Sequence, residues 1–484
     1  MPAYEIPDIP LFLTLSSFLY LLNVAEAISA SLLEAGLLGS LALGIIYGPE
    51  AADILPEYVQ ETFLILGYIG LILLVFEAGL STNLKLLYGH LTLSLTVGTT
   101  GIILPILFSI LLLHLGYGYS VLQSFAAGAA LSSTSLGTTL ALLKPEWRQT
   151  KMGVVLLSAA LFDDVIGLVI AAVIGDLSSS TSSGGISWQS IVRPIFVSIA
   201  FVLGTGLLTW FFRISLNRVP EHWQRRLYKG RVQILLIVTI LSGFVAGSEY
   251  AGTSELFGAY LAGVLVAQAF RYVPEIEHNA DINAAARQSQ ASLTLIGSMG
   301  YYSPHLAFTA YIQPILNHML SPIFFASIGS ALPIRSLGSV NGSFDVVWRG
   351  WIYSLLMLVA KILTGIWLVI WPENGLIQAL YCCCRSKRRP TNPAQPQPVI
   401  SNTVQTPSFA SSNSKSALLL GFAMVARGEI ALIVAQLARP LLVGDGDTNL
   451  SECFAVVIWA ILVDTVVGAA VVGFLFRREA KKKT

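Results

Sequence analysis

The sequence predicts an all-α polytopic membrane protein with about 13 transmembrane helices. Its 484 residues are 55% hydrophobic and only 11% charged, whereas soluble domains carry roughly 25% charged residues. Apolar runs long enough to cross a hydrocarbon core of about 30 Å recur along the whole chain. The second half of the sequence also repeats a short motif of the first half. These observations indicate a lipid bilayer as the chain's surroundings. No nucleic-acid partner is expected, and the net charge of +1 does not bear on this, because in a membrane protein the placement of the charges along the chain is what matters.

The predicted spans follow one another from the N-terminus with short loops between most of them. Their centres lie near residues 20, 41, 70, 102, 131, 164, 202, 239, 262, 320, 358, 427 and 464. With the N-terminus outside, most of the 28 Lys and Arg residues fall in cytoplasmic loops and the tail, as the positive-inside rule requires. The C-terminus is then cytoplasmic, in either the plasma membrane or an organelle membrane. The two Asn-X-Ser/Thr sequons, at Asn341 and Asn449, fall in loops placed outside.

One long polar segment interrupts this pattern, from Arg385 to Lys415. It is rich in Pro, Ser, Asn and Gln without an apolar period, which predicts a disordered cytoplasmic loop. The three adjacent cysteines before it, Cys382, Cys383 and Cys384, cannot build a disulfide framework. Their position at a membrane boundary permits palmitoylation.

Two adjacent carboxylates, Asp163 and Asp164, lie inside the apolar stretch from Val154 to Ile174. An aspartate at the centre of a spanning helix costs roughly 2.5–3.5 kcal/mol, so the pair must face protein or a water-filled cavity. Consecutive helix residues point about 100° apart, which suits two different partners on two sides of the sixth span. The pair is either a site that handles charge or a structural hydrogen-bonding pair.

Lys361 is the only lysine inside a predicted span and is the natural counter-charge for these acids. Burial weakens the proton affinity of a lysine and a nearby carboxylate restores it, so such a pair can exchange protons. A structural salt bridge without a role in transport is the alternative.

Hydroxyl side chains cluster in the fifth span, between Gly128 and Gly137 and just beyond. They are Ser132, Ser133, Thr134, Ser135, Thr138 and Thr139. If the helix unwinds there, hydroxyls and freed carbonyls supply oxygen ligands of the kind that hard cations prefer. The alternative is that these hydroxyls satisfy local carbonyls and allow close helix packing.

The two halves carry a similar short motif. Leu161-Phe-Asp163-Asp-Val-Ile-Gly167 is echoed by Leu462-Val-Asp464-Thr-Val-Val-Gly468, on a span that crosses in the opposite direction. One span earlier, each half has a segment with helix-breaking or charged residues, and the second of these holds Arg427 and Glu429. We expect this charge pair to anchor a broken helix. The pattern indicates two inverted repeats with a binding site at the midplane.

Several of these segments together resemble the monovalent cation/proton antiporter superfamily, on the electrogenic, paired-aspartate branch that includes bacterial sodium/proton antiporters. The resemblance is carried by Thr134-Ser-Leu-Gly137, Asp163-Asp164-Val-Ile-Gly-Leu-Val, Lys361, and Arg427-Gly-Glu-Ile-Ala-Leu-Ile-Val-Ala, and it extends over residues 10–476. Ala426 stands where that family often has proline, and Glu77 replaces a usually apolar residue.

The resemblance implies roles for individual residues. Asp164 would bind the cation and the proton, Asp163 would pair with Lys361, and Thr134 and Ser135 would line the site. The hydroxyl cluster adds Ser133 as a further candidate ligand. Sodium would therefore bind Asp164 with help from Asp163 and Thr134, and no cofactor is expected.

The resemblance also implies a homodimer with a core domain of crossed discontinuous helices and a dimerisation domain. The scaffold or dimerisation helices would occupy residues 1–88 and 231–340, and the core helices residues 89–176, 341–372 and 416–476. A linker helix with a basic loop would occupy 177–230, the disordered loop 373–415 and a basic tail 477–484.

The expected function is therefore that of a secondary transporter, not an enzyme, that exchanges Na⁺, Li⁺ or K⁺ for protons by alternating access. A K⁺/H⁺ exchanger of the same fold is the first alternative. An intramembrane aspartyl protease is another, because Asp163 and Asp464 lie on separate spans, but the chain lacks Tyr-Asp and Pro-Ala-Leu motifs. A passive cation channel is the third, and the internal repeat favours alternating access over it.

Overall fold

The computed structural model describes residues 8–33, 36–82, 91–134, 151–181, 188–220, 226–270, 303–332, 337, 345–370, 413–427, 429–443 and 452–481. Helices supply the regular structure of these ranges. Within them, the side chains of Asp164 and Glu429 lie outside the described part. The chain is all-α, as the sequence predicts.

The helices follow in chain order. They are α1 (Ile9–Leu33), α2 (Leu37–Tyr47), α3 (Glu57–Ser81), α4 (Leu91–Ser109), α5 (Val121–Ala130), α6 (Lys151–Thr181), α7 (Trp188–Arg218), α8 (Gly230–Ala251), α9 (Glu255–Ala269), α10 (Pro304–Tyr311), α11 (Ser321–Ser330), α12 (Asp345–Thr364), α13 (Ile366–Ile370), α14 (Asn413–Ala423), α15 (Glu429–Leu437), α16 (Arg439–Val443) and α17 (Glu452–Lys481). A π-helical turn, Ile110–Gly116, extends α4, and a second, Leu316–Leu320, precedes α11.

Eight of the described helices are long and apolar enough to cross a membrane, which confirms a multi-pass membrane protein. The helices α2, α5 and α9 are shorter and also apolar. Two predicted span centres, 131 and 427, fall immediately after α5 and between α14 and α15, where the helix is interrupted. The total of 13 spans stays a prediction.

One group of helices forms around α3, which packs against α9 and α11, while α2 packs against α1 and α11. These helices approach closely because they carry glycine where they meet. A Cβ atom at Gly79 would clash with the carbonyl oxygen of Tyr260, and one at Gly263 would clash with that of Phe76. Small residues at such contacts are the usual basis of tight helix packing in membranes.

A second group forms around α12 and α6. α4 packs against both of these helices, α12 packs against α14 and α17, and α15 packs against α5 and α6. The long helix α7 contacts α6 in this group and α9 in the first group. The side chains that carry the predicted chemistry lie in the second group.

Candidate functional site

The first element of the site is the interrupted end of α5. The helix begins with a capping box, in which Ser120 Oγ accepts from the Gln123 amide and Gln123 Oε1 accepts from the Ser120 amide. It ends at Ala130, and the next residues are not helical. Hydroxyl side chains compete with the helical hydrogen-bond ladder, so the hydroxyl-rich run that starts at Ser132 accounts for the break.

The second element is the gap between α14 and α15, where residues 424–427 leave the helix. This gap lies directly against α17. A Cβ atom at Gly468 would lie only 2.6 Å from the Ala426 amide nitrogen. Glycine at position 468 therefore allows the backbone of the break to approach α17, and no proline is needed to interrupt the helix.

The two breaks touch each other. Thr134 Oγ1 lies 3.3 Å from the carbonyl oxygen of Met424, and Arg427 Nη1 donates to the carbonyl oxygen of Ser133 at 3.0 Å. An interrupted helix leaves carbonyl groups without helical partners. Here the Thr134 hydroxyl approaches the Met424 carbonyl of the other break, and the Arg427 guanidinium approaches the Ser133 carbonyl.

Asp163 and Lys361 form an ion pair at this contact. Lys361 Nζ lies 2.9 Å from Asp163 Oδ2, and both side chains are fully buried. The ammonium also donates to the Ser132 carbonyl oxygen and to Thr134 Oγ1, at 2.9 Å for the hydroxyl. Thr134 Oγ1 in turn donates to Asp163 Oδ2 at 2.8 Å. A hydroxyl donates one proton and accepts through its lone pairs, so Thr134 can bond both charged groups at once.

Two glycines of α4 make room for this pair, and sequence reasoning missed them. A Cβ atom at Gly101 would lie 3.2 Å from Lys361 Nζ. One at Gly98 would lie 2.9 Å from the ring of Phe162, the residue before Asp163, and 3.4 Å from Asp163 Oδ1. The two glycines are three residues apart, which places them on one helix face. That spacing is a signal the sequence does contain, although Gly is abundant throughout the chain.

A second charge pair is fully buried in the same group of helices. Arg427 Nη2 lies 3.5 Å from Asp464 Oδ2. The sequence predicts Glu429 as the partner of Arg427 and indicates Asp464 only as part of the repeat, but the Glu429 side chain lies outside the described part. The structure places Asp464 beside Arg427, and the pairing of Arg427 with Glu429 stays a prediction.

Other predicted residues are not part of this cluster or are not described. Ser133 contributes its carbonyl to the contact between the breaks. Glu77 lies elsewhere, on α3, where its Oε1 accepts from Gln313 Nε2 at 2.8 Å. The predictions for Ser135, Thr138, Thr139, Asn341, Cys382, Cys383, Cys384 and Asn449 fall outside the described residues. Asp164 follows Asp163 on α6, and its side chain is likewise outside the described part.

A fully buried Asp–Lys pair beside two contacting helix breaks, inside a bundle of apolar helices, is typical of one class of membrane protein. It is the secondary transporters that bind their ions at interrupted helices. A family model described as "Sodium/hydrogen exchanger, transmembrane" matches residues 14–478. The chain belongs to this sodium/hydrogen exchanger family, whose members are transporters rather than enzymes.

Individual antiporters are also similar to this chain. The chain is 26% identical over 419 residues to the "Probable Na(+)/H(+) antiporter GerT" of Bacillus cereus, covering 85% of this chain and 86% of that protein. It is 24% identical over 430 residues to the "Na(+)/H(+)-K(+) antiporter GerN" of the same organism, covering 88% and 87%. The solved structure of the sodium proton antiporter MjNhaP1 from Methanocaldococcus jannaschii at pH 8 has a TM-score of 0.59 at 14% identity, covering 95% and 98%. This last comparison shows the fold.

Proposed function

We propose that this protein exchanges Na⁺, or Li⁺ or K⁺, for protons by alternating access, and that Asp164 binds both the cation and the proton. The observation that carries the proposal is the buried Asp163–Lys361 pair, held by Thr134 where the two helix breaks meet. The antiporters to which the chain is similar support it.

Competition between a proton and a cation for one acid is the physical basis of coupling. An ionised carboxylate in a low-dielectric interior is costly unless a positive charge neutralises it. Lys361 supplies that charge to Asp163, so Asp164 is left to take either a proton or a cation. Oxygen atoms at the breaks, including those of Ser133, Thr134 and Ser135, would complete the shell of a hard cation. Because the proton and the cation exclude each other, one site couples two fluxes.

Alternating access needs one group of helices to move against another. The division into a group around α3 and a group around α12 and α6 supports a scaffold that holds residues 1–88 and 231–340. The core would hold residues 89–176, 341–372 and 416–476. The helix α7, which contacts both groups, is the natural linker. We place a homodimer interface on the scaffold, the N-terminus outside and the C-terminus in the cytoplasm.

K⁺/H⁺ exchange at the same site is the second candidate. Its support comes from relatives. GerN is named as acting on K⁺ as well as Na⁺, and "K(+) efflux antiporter 1, chloroplastic" of Arabidopsis thaliana is 26% identical over 239 residues, or 48% of this chain. The choice between cations depends on ligand placement around Asp164.

The direct test uses purified protein in liposomes with a dye that reports internal pH. Addition of Na⁺, Li⁺ or K⁺ in turn should drive proton movement in the wild type, and the Asp164→Asn variant should show none. Glu77→Gln is the matched control. It neutralises another acid on a spanning helix, and Glu77 is hydrogen-bonded to Gln313, away from the two helix breaks. Cation-driven proton movement that survives in Asp164→Asn would refute the assignment.

A further inference from the structure

Asp464 is a fully buried acid that has no role in the proposed function. It lies on α17, in the half of the chain opposite to Asp163. Its glycine neighbour in the repeat, Gly468, packs against the break that carries Arg427. The acid and the break are therefore held together by backbone packing as well as by charge.

The contact between Asp464 and Arg427 is an electrostatic attraction rather than a well-formed hydrogen bond. Its 3.5 Å separation exceeds the 2.7–3.2 Å of a well-formed N–H···O hydrogen bond. Among the described residues, both carboxylate oxygens of Asp464 and the Nε and Nη2 atoms of Arg427 have no hydrogen bond. Arg427 Nη1 instead donates a hydrogen bond to the carbonyl oxygen of Ser133, the residue before Thr134.

The ionisable groups that face this pair come from two neighbouring helices, α6 and α12. Asp163 on α6 lies close enough to interact electrostatically with Arg427. Lys361 on α12 does so with Asp464, and Tyr353 on the same helix does so with both. Two acids and two bases thus balance among the described side chains of the cluster. Removing any one of them changes the net charge of the cluster by one unit, and in a low-dielectric interior this change acts over a long distance.

We propose that Asp464 is a charge-balancing and positioning residue of the cation site. Its carboxylate cancels the charge of Arg427 and holds that guanidinium against the break that carries Ser133 and Thr134. Asp464 therefore sets the affinity of the site for monovalent cations without touching the ion. This inference rests on the proposed function.

The test compares Asp464→Asn, Arg427→Gln and the double variant in liposomes, by the apparent KM for Na⁺ and the maximal rate at one alkaline pH. The uncompensated positive charge of Asp464→Asn repels cations through a low-dielectric interior, so its KM should rise, by roughly tenfold for an electrostatic change of about 1.4 kcal/mol. Arg427→Gln should lower the KM, and the double variant should return it toward that of the wild type.

Glu452→Gln is the matched control, because it removes an acid from the same helix that is paired with Arg349 and partly exposed. Its KM should equal that of the wild type. A merely structural role for Asp464 would lower the maximal rate in both single variants and leave the KM unchanged. If the wild type transports, that result would overturn this inference and leave the proposed function standing.

Failure of the wild type to move protons would instead refute the proposed function. Thermal unfolding then still tests the pairing. An unpaired buried charge destabilises the fold, so Asp464→Asn should unfold at a lower temperature than the wild type, and the double variant should recover part of the loss. An Asp464→Asn protein as stable as the wild type would overturn the inference.

Discussion

At the scale of single residues, the charge of Lys361 is the centre of the site. Three acceptors surround its ammonium, namely the Asp163 carboxylate, the Thr134 hydroxyl and the Ser132 carbonyl. The carbonyl lies two residues beyond Ala130, the last residue of α5, in the interrupted segment. Lys361 thus neutralises an acid and donates to a carbonyl group that the broken helix leaves without a helical partner.

Replacement of Lys361 by alanine should alter the coupling of the exchange. Asp163 loses its counter-charge, and breaking a buried pair costs about 3–5 kcal/mol. The charge moved per cycle and the pH dependence of transport should both change, as measured by proton flux in liposomes at two imposed voltages. Lys361→Arg, which keeps the charge, should stay closer to the wild type. Unchanged electrogenicity and pH dependence in Lys361→Ala would remove Lys361 from the mechanism.

Replacement of Thr134 by valine should weaken the site without a change of volume. The variant loses the hydroxyl that bonds both Lys361 and Asp163, and hydrogen bonds to charged groups contribute about 1.5–3 kcal/mol. We expect cation-driven proton flux to fall by at least about tenfold. The matched control is Thr205→Val, because the Thr205 hydroxyl bonds only its own helix, at Phe201, among the contacts described. Equal flux in the two variants would argue against a role for Thr134.

Some of these residues could be singled out from sequence, and others could not. Asp163 and Lys361 stand out because charges are rare in apolar spans. Thr134 is one of six neighbouring hydroxyls, and only the geometry shows that it is the one between the charges. The pairing of Arg427 with Asp464 depends on how closely α17 approaches the break, and residue spacing does not contain that distance.

At the scale of helices, close packing between α3 and α9 depends on the absence of side chains at Gly79 and Gly263. Gly263→Ala should force these two helices apart, because its Cβ would clash with the Phe76 carbonyl oxygen. Overpacking of this kind costs about 1–3 kcal/mol, so the unfolding temperature in detergent should fall. Gly204→Ala is the control, since nothing lies within 4 Å of a Cβ there and alanine favours the helix. Equal unfolding temperatures of the two variants would contradict this account of the contact.

The long spans could be predicted well because hydropathy and length determine them, as for α3, α4, α6, α12 and α17. The breaks after α5 and α14 were indicated by glycine, hydroxyl and charged residues. The π-helical turns at Ile110–Gly116 and Leu316–Leu320 were not predicted. Such turns differ from an α-helix by a shift of one residue in hydrogen bonding, and no apolar period distinguishes them.

At the scale of the whole molecule, the buried site lies within one group of helices, and α7 connects that group to the other. The family match over residues 14–478 confirms the class of transporter that the sequence predicts. The orientation in the membrane follows from loop charge and stays a prediction. How the two groups pack could not be predicted, because that depends on helix contacts between residues far apart in sequence.

In the function proposed here, the cation and the proton compete for one carboxylate, that of Asp164. The most direct measurement is the initial rate of Na⁺-driven proton movement by wild-type protein in liposomes, as a function of Na⁺ concentration at several pH values. Competition predicts that the apparent KM for Na⁺ rises as pH falls, while saturating Na⁺ restores the same maximal rate. A maximal rate that falls with pH at constant KM would show that the two ions bind separate sites, and would contradict the account.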